Sequence, residues 1–550
     1  MLYKCGQSCI LTNGFVSNFF KLSRSMRQGC PIASYLYILQ AEPMAESIRN
    51  NNKIKGLKVP SLEPETKFEA KISMFADDTQ LFHSSESSII EGFKVLETYC
   101  KASGAKLNLH KTKGLYIGGW KEKQPKYKRI KWVKNVVALG TVFGYNIDYE
   151  QIWMKKFFKF KEKITRWKNR DLTLIGKKLL INSYIMSSMS YLIDVYTSNI
   201  PHKFLQETNE LLRDFLWEGK VWRIAKKTMA LRKEHGGLEL KDLENFVTCK
   251  KIQWIIRIQY SLVSIWNSYG KLCLSSCDTR FDIQHFLCQC SNIKGLKVEL
   301  PSFYKTCLES WCTIVNKRKP CTIDYILNQN LFGNCNITYG QQQSIFFGSW
   351  TKSNFIKIKD IWNSVTVNWK TSQEILTQLK DKRNWIGEYN KIKSCIPVHW
   401  KKILRKVVED EAESKDMKLE DTNVVEFKPT EILVDKKTCN YKNIEQKQLY
   451  FTCLYPMTMP TCVTTWEAIF QKKFNLEDLF GNFIFHIVHN RKVSNFHWKC
   501  VHRAVYSEKR LQRMKRSNGK CTICKNEDET ICHFCLNAKM LNQFGTKFVL

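Results

Sequence analysis

Residues 71–83 read KISMFADDTQLFH. Apolar residues on both sides of Ala76-Asp77-Asp78 predict two strands around a tight turn. Two adjacent carboxylates on such a turn repel each other unless a cation neutralises them. At a sheet edge they suit a hydrated Mg²⁺, which can bridge carboxylate and triphosphate oxygens. Taken alone, these four residues read first as an ordinary acidic turn, because Asp is common in turns. The neighbours add order and spacing. Upstream stands Met26-Arg27-Gln28-Gly29-Cys30-Pro31. There Arg27 can grip a phosphate with two nitrogens, Gly29 allows close backbone approach and Pro31 suits a helix start. Downstream lie Gly104-Ala105-Lys106-Leu107-Asn108 and Lys111. A lysine in that segment can neutralise charge developing on pyrophosphate.

Further outward the periodicity is helical. Before the turn, Leu36, Leu39, Met44 and Ile48 mark one helix face. After it, Ile89, Phe93, Leu96 and Cys100 mark another, with Gly104 as the stop. From Glu150, Trp153, Phe157, Phe160, Ile164 and Trp167 recur in steps of four and three. The remaining faces of that helix carry Lys156, Lys159 and Lys163 among other cations. They form either a solvated face or a track for a phosphate backbone. Helical patterns continue through 172–196 and 204–217, whereas 261–400 is rich in aromatics and cysteine with weak periodicity. A charged run, Glu409–Asp421, reads as a linker or an exposed helix end. A last unit begins near Tyr450 and ends in a Cys/His cluster.

Composition sets the class of partner. Across 550 residues the formal net charge is +36, with 43% hydrophobic and 13% aromatic residues. Such a chain can bury substantial cores and calls for a densely anionic partner, nucleic acid first. The 22 cysteines are scattered, and no apolar run near the start suits a signal peptide. Free thiols in a reducing, intracellular setting (nucleus or cytoplasm) are the expectation. The longest apolar stretch, Leu179 to Tyr196, contains Asn182, serines and Asp194, and reads as a buried helix rather than a membrane span.

The series RQGCP, FADD, SGAKLNLHKTK and VVALG resembles the successive palm motifs of LINE-type (non-LTR) retrotransposon reverse transcriptases. In the last motif Leu139 and Gly140 match the family's primer-grip turn, with Ala138 where an aromatic is more usual. WKNRDLTLIGKKLLINSYIMSSMSY, Phe215–Trp217 and HGGLELKDL resemble the thumb and the segment after it. NFHWKCVHRAVYSEKRL followed by KCTIC resembles the family's C-terminal zinc-knuckle region. The resemblance implies an α+β fold, an incomplete palm followed by mostly helical domains. Residues 1–119 would be the palm part, 120–260 the primer-grip turn and thumb-like region, and 261–405 a helical connector. Residues 406–440 would be a charged linker and 441–550 a C-terminal domain. It implies Asp77 and Asp78 as catalytic ligands of a two-metal Mg²⁺ site, with an RNA template, a DNA primer and deoxynucleoside triphosphates as partners.

One element of the family pattern is missing from this sequence. The metal site needs a carboxylate from an earlier strand, yet no Asp or Glu occurs from Met1 to Gln40. A truncated reading frame that is inactive alone is the expectation, with a non-catalytic nucleic-acid-binding protein as the alternative. At the other end, Cys521, Cys524, His533 and Cys535 have the residue types for a Zn²⁺ site. The family's usual last ligand falls near Ala538, so Cys535 or Cys532 would substitute. A second grouping, Cys273, Cys277, His285, Cys288 and Cys290, reads as structural.

Overall fold

A computed structural model describes residues 6–22, 29–60, 68–196, 199–218, 222–260, 264–277, 283, 286–287, 293, 298–316, 323–334, 336–339, 343–380, 383–405, 431–434, 437–454, 459–480, 491–522 and 524–533. Arg27, Gln28, Cys535, the run 409–421, His285, Cys288 and Cys290 lie outside the described residues. The chain is α+β and divides into two compact units, 1–147 and 148–550.

In the first unit the leading helix, α1, spans Ala33–Asn50. Met44, Ala45 and Ile48 face inward, but Leu39, expected on the same stripe, is 70% exposed. Tyr35 and Ile38 are exposed beside it while Leu36 is half-buried, so much of the apolar surface on the first half of α1 is open. The end of α1 is tied down by Lys71, whose Nζ donates to the carbonyls of Arg49 at 2.9 Å and Asn51 at 3.0 Å. These are the carbonyls a helix leaves without intrahelical partners, and a cation suits that end. Directly after Lys71 run β1 (Ile72–Phe75) and β2 (Asp78–Leu81), paired antiparallel with Phe75 opposite Asp78.

Helix α2 spans Glu86–Ser103. The Ser85 side chain accepts from the Ser88 amide at its start, and the amide of left-handed Gly104 bonds Cys100 at its end. Ile89, Phe93 and Leu96 are buried as the periodicity predicts, and with Met44, Ile48 and Ile54 they form the unit's core. The core runs past residue 119. Tyr127 stacks on Phe93 at 4.7 Å, and Trp132 donates to the Tyr127 carbonyl at 2.6 Å. The last hairpin, β3 (Asn135–Ala138) with β4 (Thr141–Gly144), belongs to this unit.

The second unit opens with α3, Tyr149–Lys168, capped by Asp148 on the Gln151 amide at 2.9 Å. Trp153, Phe157, Phe160 and Ile164 are buried, and Trp167 lies at the rim under the Arg170 guanidinium. Residues 174–195 are helical throughout but pass through a π-helical turn at Ile181–Met186. That turn carries Asn182. Its side chain donates to the Glu239 carbonyl at 2.8 Å and accepts from the Lys241 amide at 3.0 Å. One core then gathers residues from Trp153 to Ile531, and a second one, between Ile326 and Leu404, forms around Trp350 and Trp400. Among the described residues, no helix is long and apolar enough to cross a membrane.

Candidate catalytic turn and zinc centre

The turn between β1 and β2 consists of Ala76 and Asp77. Ala76 has a φ of +51°, a left-handed conformation that an L-residue with a Cβ adopts at a cost of about 1–2 kcal/mol. Its carbonyl accepts from the Tyr37 hydroxyl at 3.1 Å, which joins the turn to α1. Burial, then Tyr99 and the Asp77 charge, push the Tyr37 pKa upward, so it stays a phenol with a proton to donate. Asp77 and Asp78 are both exposed, and neither makes an ion pair among the described residues. Two bare adjacent carboxylates on an exposed turn fit a hydrated divalent cation.

The other palm-type residues sit on the same unit. Gly29 has a φ of +87°, a conformation that only glycine takes without strain. Lys106 and Lys111 are exposed on the segment after α2, and Asn108 organises it by accepting from the Lys111 amide at 3.1 Å. No hydrogen bond or ion pair among the described residues joins either lysine to Asp77 or Asp78. Leu139 and Gly140 form the two-residue turn between β3 and β4, with φ of +49° and +76°. Two positive φ values in succession match the twist of a tight hairpin. Glycine takes that geometry freely and Leu139 does not. The buried Thr141 hydroxyl closes the turn by donating to the Ala138 carbonyl at 3.1 Å. Sequence reading missed Tyr37 and Lys71; nothing in the pattern set them apart from an apolar helix and a strand-flanking cation.

In the second unit Lys156, Lys159 and Lys163 share one side of α3. Burial first, then Lys159 and Lys163, lower the Lys156 pKa, which places the three ammonium groups in one another's field. Lys163 lies 4.0 Å above the Tyr184 ring.

The C-terminal cluster brings Cys521, Cys524 and His533 together, with ligand atoms within 4.8 Å of one another. A tight loop positions them. The Cys521 amide donates to the Glu527 carbonyl and the Lys525 amide to the Cys521 carbonyl, both at 2.8 Å. Cys524 Sγ is 3.3 Å from His533 Nε2. Amides of Glu527 and Asn526 lower the Cys524 pKa to about 7, towards the thiolate that a metal requires. Behind the ring, Glu527 Oε2 lies 2.8 Å from His533 Nδ1, the place where metal-bound histidines usually meet a carboxylate. Cys532, the alternative last ligand, is not part of this group. This donor set and spacing fit tetrahedral Zn²⁺ with one further ligand.

Residues 3–143 match the family described as reverse transcriptase (RNA-dependent DNA polymerase), and residues 461–544 match zinc-binding in reverse transcriptase. A curated relative, the transposon TX1 uncharacterized 149 kDa protein of Xenopus laevis, is 23% identical over 390 residues. That alignment takes in 69% of this chain and 29% of the relative, so the chain spans under a third of the relative's length. Polymerase-type sequence at residues 3–143, the zinc-binding segment at 461–544 and the likeness to a transposon protein together support a non-LTR retrotransposon reverse transcriptase as what this chain is similar to.

Proposed function

We propose that the chain carries the catalytic turn, primer grip and thumb of an RNA-directed DNA polymerase. The reaction is nucleotidyl transfer from a deoxynucleoside triphosphate to a DNA primer end on an RNA template. The observation that carries this reading is the exposed Asp77–Asp78 turn, held to α1 through Tyr37. Asp77 and Asp78 would hold Mg²⁺, which when bound neutralises charge on the triphosphate and the attacking oxygen. Lys106 and Lys111 would face the leaving pyrophosphate, and Arg27 and Gln28 the incoming nucleotide. Leu139 and Gly140 would seat the primer strand. At the other end Cys521, Cys524 and His533, with Cys535, would hold Zn²⁺.

A two-metal site takes carboxylates from more than one strand, and residues 1–40 contain none. The chain by itself should therefore extend a primer poorly. Primer extension with Mg²⁺ or Mn²⁺ tests this beside an Asp77→Ala, Asp78→Ala control. Extension that appears when a segment bearing an acidic palm strand is added, and that the double substitution abolishes, supports the polymerase reading. Extension indifferent to both aspartates would sink it. Robust extension by the chain alone, lost in the control, would place the third carboxylate after Gln40. The basic face of α3 favours a second reading, a non-catalytic nucleic-acid-binding protein. Tight binding of an RNA–DNA hybrid with no extension under any of these conditions would select it.

A further inference from the structure

Away from the turn and the zinc centre, the second unit assembles cations from segments far apart in sequence. Lys177, nearly buried, pairs with Glu218 at 2.7 Å. Arg223 lies 4.3 Å above the Tyr506 ring, and Arg510 approaches the same ring at 5.6 Å. Arg510 is aimed by a 2.8 Å hydrogen bond that it donates to the Arg503 carbonyl. Lys499, on the helix Arg491–Val501, completes the group. Burial first, then the charges of Arg223 and Lys177, lower its pKa. Lys177 lowers the Glu218 pKa first, then Arg223 and Lys168 add to the effect. Lys168, Lys177, Arg223 and Lys499 thus act on one carboxylate, Glu218, with Arg510 joined to them through Tyr506. Lys499 makes no ion pair with a described carboxylate.

We propose that this cluster is a second phosphate-binding surface, which takes the sugar–phosphate backbone of a nucleic acid with Arg223 and Arg510 as its phosphate ligands. The inference rests on the reading of the chain as nucleic-acid binding, and it adds a contact that neither the α3 lysines nor the zinc loop supplies. Like charges drawn from four segments are held together here at an electrostatic cost that a polyanion removes. Guanidinium forks match phosphate oxygens in pairs, which ammonium groups do not. Tyr506 is 38% exposed and carries both guanidinium groups over its ring, and such cation–π contacts hold the two arginine heads together at an accessible position.

The test is fluorescence anisotropy of the full chain with a labelled RNA–DNA hybrid across a salt series. The variants are Arg223→Gln/Lys499→Gln/Arg510→Gln, the charge-keeping Arg223→Lys, and, as control, Lys359→Gln, an exposed residue on the short helix Ile358–Ile361 beside the other core. The triple variant should bind at least about tenfold more weakly, and its log–log salt slope should be shallower by roughly 2–3, near 0.9 for each phosphate no longer neutralised. Arg223→Lys should keep the slope while weakening binding, and Lys359→Gln should match wild type. If the triple variant melts early, the single changes Arg223→Gln and Arg510→Gln each should lower the slope by about 0.9. Wild-type binding with an unchanged slope in these variants overturns the inference and leaves the nucleic-acid reading standing. No binding by wild type overturns that reading itself. Poly-glutamate that binds more tightly than the hybrid, and binds more weakly to the same variants, overturns the choice of partner.

Discussion

Ala76 and Leu139 are L-residues held at positive φ in the two turns that the polymerase reading needs most. Backbone held in such regions persists where surrounding structure over-determines it, and it concentrates at functional positions. At Ala76 the determinant is visible, the Tyr37 hydroxyl on the carbonyl. Ala76→Gly should raise the stability of the first unit, read by urea unfolding, by about 0.5–1 kcal/mol once the extra unfolded-state freedom of glycine is set against the relieved strain. Tyr37→Phe should lower it by about 1 kcal/mol, the net value of one hydrogen bond. A fall with Ala76→Gly would mean that the turn is not strained as its φ indicates. FADD was legible as a strand–turn–strand because apolar runs flank its two acids. Tyr37 was not, because a tyrosine inside an apolar run is first a core candidate, and only the fold brings it to residue 76. Glu527 is a parallel case. Its approach to His533 depends on the loop that pairs Lys520 with Asp528, which spacing alone does not reveal.

At the scale of elements, helices with a complete apolar stripe were readable and those with an unmatched stripe were not. In α2 and α3 every stripe residue from Ile89 to Leu96 and from Trp153 to Ile164 found a core. In α1 Leu39 did not, since periodicity reports a face and not what covers it. The π-helical turn was equally hidden. It appears only when Asn182 is seen clamping the backbone at Glu239 and Lys241. Two predictions belong here. Lys71→Met should destabilise the first unit by about 2–3 kcal/mol, because Lys71 is 9% exposed and two helix-end carbonyls lose a charged donor. Thermal unfolding measures it, and a change under about 0.5 kcal/mol would mean that water replaces the ammonium without penalty. Lys156→Ala, Lys159→Ala and Lys163→Ala together should weaken hybrid binding regardless of sequence and flatten its salt dependence. Unchanged affinity and slope would reduce this side of α3 to a solvated face.

Across the whole molecule, the second unit is stitched from distant segments, so its C-terminal portion is not an appendage. Trp466 and Trp498 lie in the same core as Trp153. The junction is polar as well as apolar. Trp498 Nε1 donates to the Gly236 carbonyl at 3.1 Å, and His502 Nε2 lies 2.7 Å from the same oxygen. His502 Nδ1 is 3.5 Å from Cys462 Sγ, and the ring stacks on Phe480. A carbonyl only accepts, so Nε2 carries the proton and Nδ1 accepts from the thiol, which burial keeps protonated with a pKa pushed up to about 11. Burial also lowers the His502 pKa to about 4, against the weaker upward pull of the Gly236 carbonyl. The folded state therefore holds a neutral ring while the unfolded chain takes a proton near pH 6.5. Stability from this site is complete above about pH 6.5, falls as pH drops below that value, and is exhausted near about pH 4, for a total of roughly 3 kcal/mol. Urea unfolding followed by tryptophan fluorescence should show the second unit weaker at about pH 5 than at about pH 7 by roughly 2 kcal/mol from this residue. His502→Asn should be less stable at neutral pH, and its loss on acidification should be smaller than wild type by that amount. His497, also lowered by burial, contributes in both proteins and cancels in the comparison. Parallel acid sensitivity in wild type and His502→Asn would show that folding does not lower the His502 pKa, and that the ring takes up a proton in the folded chain as readily as in the unfolded one.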